Sequence, residues 1–162
     1  MKKTGLGIVA APLCVALLLV ALPASAAEVT REEYKADVEP ICKTNTEANE
    51  KILKGVRSKV NQGKLKPAGR QFLRAATALK GTLRQLKAVP QPTSDEARLG
   101  EWLTRVGKQQ TLLQQIGNAL IAEKRRKAES LSAKLYSGAN LTNAIVVSFG
   151  FRYCRFEPSK YT

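Results

Sequence analysis

The sequence contains no histidine. This absence excludes Ser-His-Asp triads, histidine-ligated haem and the Glu-x-x-His pairs of di-iron helical bundles. No glycine-rich phosphate loop is present, and no motif marks a desolvated lysine of the kind that a Ser-Lys dyad needs. We therefore expect a non-enzymatic protein with no cofactor and no metal site. A hydrolase with an unrecognised carboxylate pair is the weakest alternative.

Acidic residues are also scarce, with 13 Asp and Glu against 27 Lys and Arg. The imbalance is local, because residues 51–94 contain eleven Lys or Arg and no Asp or Glu. Such a surface attracts polyanions. A solvated helix face that only keeps the protein soluble is the competing interpretation.

The first 26 residues have the layout of a signal peptide. Lys2 and Lys3 precede an uncharged, mostly apolar run over residues 5–22, and Ala24-Ser25-Ala26 is a small-x-small cleavage pattern. An uncleaved anchor is the alternative, since 18 residues at about 1.5 Å each nearly span a bilayer of about 30 Å. Pro12 and Pro23 argue against an anchor, and Leu13 before Cys14 argues against lipid modification. We expect export, with cleavage after Ala26.

Four helices are expected in the mature chain. Thr30 and Glu33 form a capping box, and Pro40 is expected to interrupt the first helix, which restarts there and continues to Gln62. Its apolar stripe is predicted to contain Ile41, Ala48, Ile52, Val56 and Val60. The second helix opens around Pro67 and the third near Ser94. The turn to the fourth helix falls within residues 117–126, and Gly150 ends that helix.

Short turns between four helices predict an all-α, up-down-up-down four-helix bundle over residues 27–155, followed by a basic-aromatic tail over 156–162. Export would leave Cys42 and Cys154 in a compartment where disulfides persist. In this topology the start of the first helix and the end of the fourth lie at the same end of the molecule. We expect one disulfide between the two cysteines.

Two short motifs carry a resemblance, one around each of these cysteines. They are Glu39-Pro40-Ile41-Cys42 and Phe149-Gly150-Phe151-Arg152-Tyr153-Cys154. The chain resembles uncharacterised exported or lipid-anchored four-helix proteins of actinobacterial type. This resemblance implies a disulfide-closed bundle and supplies no activity.

Aromatic and basic residues alternate at the C-terminal end of the chain. We expect Phe149, Phe151 and Tyr153 to cover the open end of the bundle, leaving Phe156 and Tyr161 for contacts outside the domain. Trp102 lies on an apolar stripe and is expected in the core.

Basic residues on the first two helices lie opposite the apolar stripes and are the predicted anion-facing set: Lys43, Lys51, Lys54, Arg57, Arg70, Arg74 and Arg84. The expected partner is an anionic envelope component, either lipid head groups or wall polymer. Nucleic acid is a further candidate. A helical module that recognises an acidic protein partner is the alternative function. We expect a monomer.

Overall fold

The computed structural model describes residues 28–160. The predicted signal peptide and Tyr161 lie outside these residues. Five α-helices and three short 3₁₀ turns follow one another, and the described residues include no strand. The helices are α1 (Arg31–Leu53), α2 (Val56–Asn61), α3 (Leu65–Ala88), α4 (Glu96–Ile121) and α5 (Arg125–Ile145).

The helices run alternately up and down, and α2 extends the rod that α1 begins. Most of the packing joins α3 to α4 and α4 to α5, while α1 and α2 lie against α3. The all-α, up-down-up-down bundle predicted from the sequence is confirmed.

The first helix begins as predicted but is not interrupted at Pro40. The capping box is present, with Thr30 Oγ1 accepting from the Glu33 N–H at 3.2 Å and the Glu33 carboxylate accepting from the Thr30 N–H at 2.8 Å. The predicted restart at Pro40 is wrong, because α1 continues through this residue. Pro40 and Ala36 are both exposed, so the carbonyl that loses its helical partner faces water.

The break in the first rod falls fifteen residues later than predicted, at Lys54 and Gly55. Gly55 has a φ of 71°, a left-handed conformation that glycine adopts without steric cost. Gln71 on α3 stabilises this break, because its amide donates to the carbonyls of Ile52 at 2.6 Å and Lys54 at 3.1 Å. The predicted apolar stripe is confirmed at Val56, which is buried, while Ile41, Ile52 and Val60 pack against the core only partly buried. The buried residues of α1 are Tyr34, Val38, Cys42, Asn49 and Leu53.

Two glycines set the contact between α3 and α4. A Cβ added at Gly69 would lie 2.6 Å from the Gly117 carbonyl oxygen, and one added at Gly117 would lie 2.9 Å from the Gly69 carbonyl oxygen. No larger residue fits at this separation without moving a helix. The α4–α5 turn follows at residues 122–124, within the predicted range.

A layer of side chains from four helices divides the molecule into two halves. Leu53, Phe72, Leu113 and Leu135 line one small internal gap and lie at the same level. We call the half that contains the α2–α3 and α4–α5 turns the upper half, comprising residues 51–74 and 113–136. The other described residues, 28–50, 75–112 and 137–160, form the lower half.

Candidate functional site

The net charge of the bundle is concentrated in its upper half. Residues 51–74 and 113–136 contain thirteen Lys or Arg and two Glu, whereas the rest of the described chain contains twelve Lys or Arg and eleven Asp or Glu. The upper half therefore carries a formal charge of +11 and the lower half +1. This asymmetry arises because the antiparallel topology brings two basic segments, distant in sequence, to the same end.

Most of this charge has no carboxylate partner. Glu123 lies 3.7 Å from Lys66, and Glu129 lies 2.9 Å from Arg125. The other eleven basic residues of the upper half make no ion pair with any described residue. They present an uncompensated positive surface to water.

All seven predicted anion-facing side chains are exposed. The upper half contains five of them: Lys51, Lys54, Arg57, Arg70 and Arg74. Lys43 lies in the lower half, 3.9 Å from Glu47 and with its ammonium 5.7 Å from the centre of the Tyr153 ring. Arg84 also lies in the lower half, near the C-terminal end of α3. Anion binding by these residues stays a prediction.

An apolar cleft of about 450 Å³ opens in the same upper half. One wall is α2 with Val56 and Val60, the other is α5 with Tyr136, and the buried Phe72 and Ile116 contribute to the lining. The walls belong to helices with different supports, since α2 packs on α3 and α5 packs on α4. The first and last rods of the bundle therefore leave a gap between them.

Charged side chains from both walls line the cleft as well. Arg57 comes from α2, and Arg125 and Glu129 come from α5. Arg125 donates from Nε to Glu129 Oε1 at 2.9 Å, so this pair is largely neutral as a unit. Arg57 makes no hydrogen bond or ion pair with a described residue and is the unpaired charge of the cleft.

Sequence reasoning missed the contribution of α5 to this region. Lys124, Arg125, Arg126 and Lys127 are consecutive at the start of α5, whose first turn contains no acid and whose N-cap makes no side-chain hydrogen bond. Positive charge at a helix N-terminus opposes the helix dipole and costs about 0.3–1 kcal/mol for each residue. These four consecutive basic residues are visible in the sequence as a second basic segment. They lie outside residues 51–94, the range over which the predicted basic surface was counted.

The predicted disulfide between Cys42 and Cys154 is confirmed in the lower half, with an S–S distance of 2.04 Å. Beside it, Glu39 accepts hydrogen bonds from the backbone N–H groups of Arg152 at 2.6 Å and Tyr153 at 2.9 Å. A side chain of α1 therefore holds the chain beyond α5 independently of the disulfide.

Aromatic rings close the lower end of the bundle as expected. Phe149, Phe151 and Trp102 are buried, and the rings of Trp102 and Phe151 lie 5.6 Å apart. Phe156 was expected to contact a partner, but it is half-buried against the core, and its backbone N–H and carbonyl both bond to the Asn143 side chain. The backbone of Phe156 is therefore held within the fold, and contact of its ring with a partner stays a prediction.

A partly buried ion pair joins α1 to the start of α4, with Asp95 buried and the Arg31 side chain 48% exposed. Arg31 donates to both oxygens of Asp95 at 2.5 and 2.6 Å, and Asp95 is only 4% exposed. The hydrogen bonds from Arg31 lower the pKa of Asp95, and the same contacts raise the pKa of Arg31. The predicted cap at Ser94 is replaced, because Asp95 occupies the N-cap position of α4 and uses its side chain for this pair.

Three of the carboxylates that an acid–base pair could use have structural partners. Glu47 lies 3.9 Å from Lys43. Glu33 belongs to the capping box, whose hydrogen bonds from Thr30 lower its pKa, and Asp95 belongs to the ion pair. Within residues 28–160, no group of three or more His, Cys, Asp or Glu is placed to hold a metal ion. Over the same residues, no helix is long and apolar enough to cross a membrane.

No protein-family model, no curated protein and no solved structure matches this chain. The geometry described above makes the upper half the candidate site, with its cations that lack carboxylate partners and its apolar cleft.

Proposed function

We propose that the protein is a non-enzymatic bundle that acts outside the cytoplasm and docks its upper half on an anionic surface of the cell envelope. The observation that carries this proposal is the separation of charge, +11 in the upper half and +1 in the lower half. A molecule charged in this way approaches a polyanion with its upper half leading.

The arrangement of the basic residues favours a surface over a small ligand. Eleven Lys and Arg side chains without a carboxylate partner are distributed over four helices and three turns, and they do not converge on one point. Each Lys or Arg near an anionic membrane contributes about 1 kcal/mol, so several simultaneous contacts give firm but salt-sensitive binding. Lipid head groups are the leading candidate, followed by phosphate-bearing wall polymer and extracellular nucleic acid.

Co-sedimentation with anionic phosphatidylglycerol vesicles tests the proposal, with neutral phosphatidylcholine vesicles as the reference. The test variant carries Arg70→Glu and Arg74→Glu, and the matched control carries Lys80→Glu and Arg84→Glu. Both pairs are exposed, lie four residues apart on α3 and change the net charge by the same amount. They differ in the half of the molecule that they occupy and in one residue type, since Lys80 stands where the test pair has a second arginine.

We expect binding to anionic vesicles that weakens steeply with salt, is abolished by the upper pair and is little changed by the lower pair. Equal losses with the two pairs would show that only total charge matters and would overturn the proposal. Salt-dependent binding to duplex DNA or to an acidic protein, without binding to vesicles or wall polymer, would overturn docking on the envelope. It would show that the upper half binds a different partner.

A further inference from the structure

The cleft between α2 and α5 places an apolar lining within the most positively charged part of the molecule. We propose that it receives one acyl chain of an anionic lipid, with the lipid head group on Arg57. This inference rests on the proposed docking for the choice of an anionic lipid, and it deepens that docking by naming the ligand.

The lining of the cleft suits a hydrocarbon chain. Val56, Val60, Phe72, Ile116 and Leu120 come from three helices and line the same space with carbon. The volume of about 450 Å³ lies within the range of about 300–1,000 Å³ that small-molecule sites occupy. A cleft with this lining gains affinity when apolar surface replaces water in it.

The charged residues of the cleft select the head group. Arg57 is unpaired, and its planar guanidinium matches a phosphate or carboxylate with two parallel hydrogen bonds. Arg125 is already held by Glu129 on the opposite wall. One free guanidinium beside an apolar cleft matches a ligand with one anionic head and one chain, and the surrounding basic surface repels a cationic head.

Isothermal titration with alkyl phosphates of increasing chain length, kept below their micelle concentration, tests the site in the absence of a membrane. Each methylene that enters the cleft should raise the affinity by up to about fourfold. Alkyl trimethylammonium ions of the same length provide the matched head-group control and should bind much more weakly.

Two variants separate the chain site from the head-group site. Ala133→Trp adds a large side chain at an exposed residue of α5 that lines the cleft, and it should abolish the dependence on chain length. Ala144→Trp is its control, an exposed alanine on the same helix in the lower half. Arg57→Gln should weaken alkyl phosphate binding about tenfold to a hundredfold, keeping the chain-length dependence, while Arg98→Gln, at an exposed residue of the lower half, should not.

Affinity that is independent of chain length would overturn the inference, as would unchanged binding in Ala133→Trp. Concentration-dependent dimers that dissociate only in Ala133→Trp would assign the cleft to a second copy of the chain. If only the cleft assignment fails, vesicle binding keeps its steep salt dependence. If the docking itself fails, that salt dependence is absent whatever the result with alkyl phosphates.

Discussion

The two halves of this bundle differ in what their polar residues do. In the lower half, carboxylates and amides are used internally: Arg31 pairs with Asp95, Glu39 binds the backbone beyond α5, and Asn143 binds Phe156. In the upper half, eleven basic residues have no carboxylate partner. The comparison indicates that the lower half balances its charges within the fold, whereas the upper half leaves its positive charge available for a partner.

Removal of the disulfide should have the largest effect and should sharpen the comparison. The double variant Cys42→Ala and Cys154→Ala removes a covalent link between residues 112 positions apart in the sequence. The chain-entropy model predicts that its free energy of unfolding falls by about 4–5 kcal/mol. Denaturant unfolding measures this loss. Hydrogen exchange should show faster opening in α1 and near Phe149 than in the α2–α3 region. Equal acceleration throughout would contradict the division into halves.

The close contact between α3 and α4 gives the next largest effect. Gly69→Ala and Gly117→Ala each force a backbone shift, because the added Cβ meets the carbonyl of the other glycine, and each should cost about 1–3 kcal/mol. Gly81→Ala and Gly100→Ala are controls on the same two helices, where the added Cβ meets nothing within 4 Å. These controls should stabilise the protein by about 0.5–1 kcal/mol. Equal destabilisation by all four would contradict the assigned contact.

The pairing of Arg31 with Asp95 predicts an acid sensitivity that belongs to the lower half. Since the folded-state pKa of Asp95 is lowered, its contribution is complete above the unfolded pKa of about 3.9 and is lost as pH falls through the folded pKa. Asp95→Asn should lower the melting temperature at neutral pH, and the difference from the parent protein should shrink below about pH 4. Melting curves across this pH range test it, with Glu96→Gln as the neighbouring exposed control. A difference that does not vary with pH would contradict the assigned role.

Tyr34 offers the smallest effect, a stabilising change in the lower half. Its side chain is fully buried, its hydroxyl has no hydrogen-bond partner in the described structure, and burial raises its pKa to about 12. Tyr34→Phe should stabilise the protein by up to about 1 kcal/mol at neutral pH, because an unsatisfied hydroxyl is removed. It should also reduce the loss of stability between pH 10 and 12, where the unfolded tyrosine ionises first. Tyr136→Phe, at a half-buried residue, is the control. A net loss of stability in Tyr34→Phe would show that the hydroxyl is satisfied.

Local signals in the sequence predicted much of the lower half. The capping box at Thr30 and Glu33 depends on neighbouring residues, and the Cys42–Cys154 bond follows from the antiparallel topology. Pro40 misled the prediction because the helix-breaking effect of a proline is judged from the neighbouring residues alone. The burial of Tyr34, Val38 and Cys42, which stabilises α1 on both sides of Pro40, depends on packing against other helices.

Less of the upper half could be predicted. The break at Gly55 depends on Gln71, a partner sixteen residues away, whereas the predicted end of the first rod at Gln62 agrees with the end of α2 at Asn61. In the lower half, Asn49 also occupies a core position that an apolar pattern does not reveal. The cleft depends on the gap between α2 and α5, which no single segment encodes, so Arg57 and Arg125 are brought together only by the fold.

Acetylation footprinting on anionic vesicles tests the central claim most directly, because it reports the docked face of the unaltered protein residue by residue. The upper-half lysines compared are Lys54, Lys64, Lys124 and Lys127. The lower-half lysines compared are Lys43, Lys80, Lys87 and Lys108. All eight are exposed in the free protein. The account predicts that vesicles protect the first group from acetylation and leave the second at its free-protein rate. Equal protection of the two groups, or protection of the second group alone, would contradict docking through the upper half.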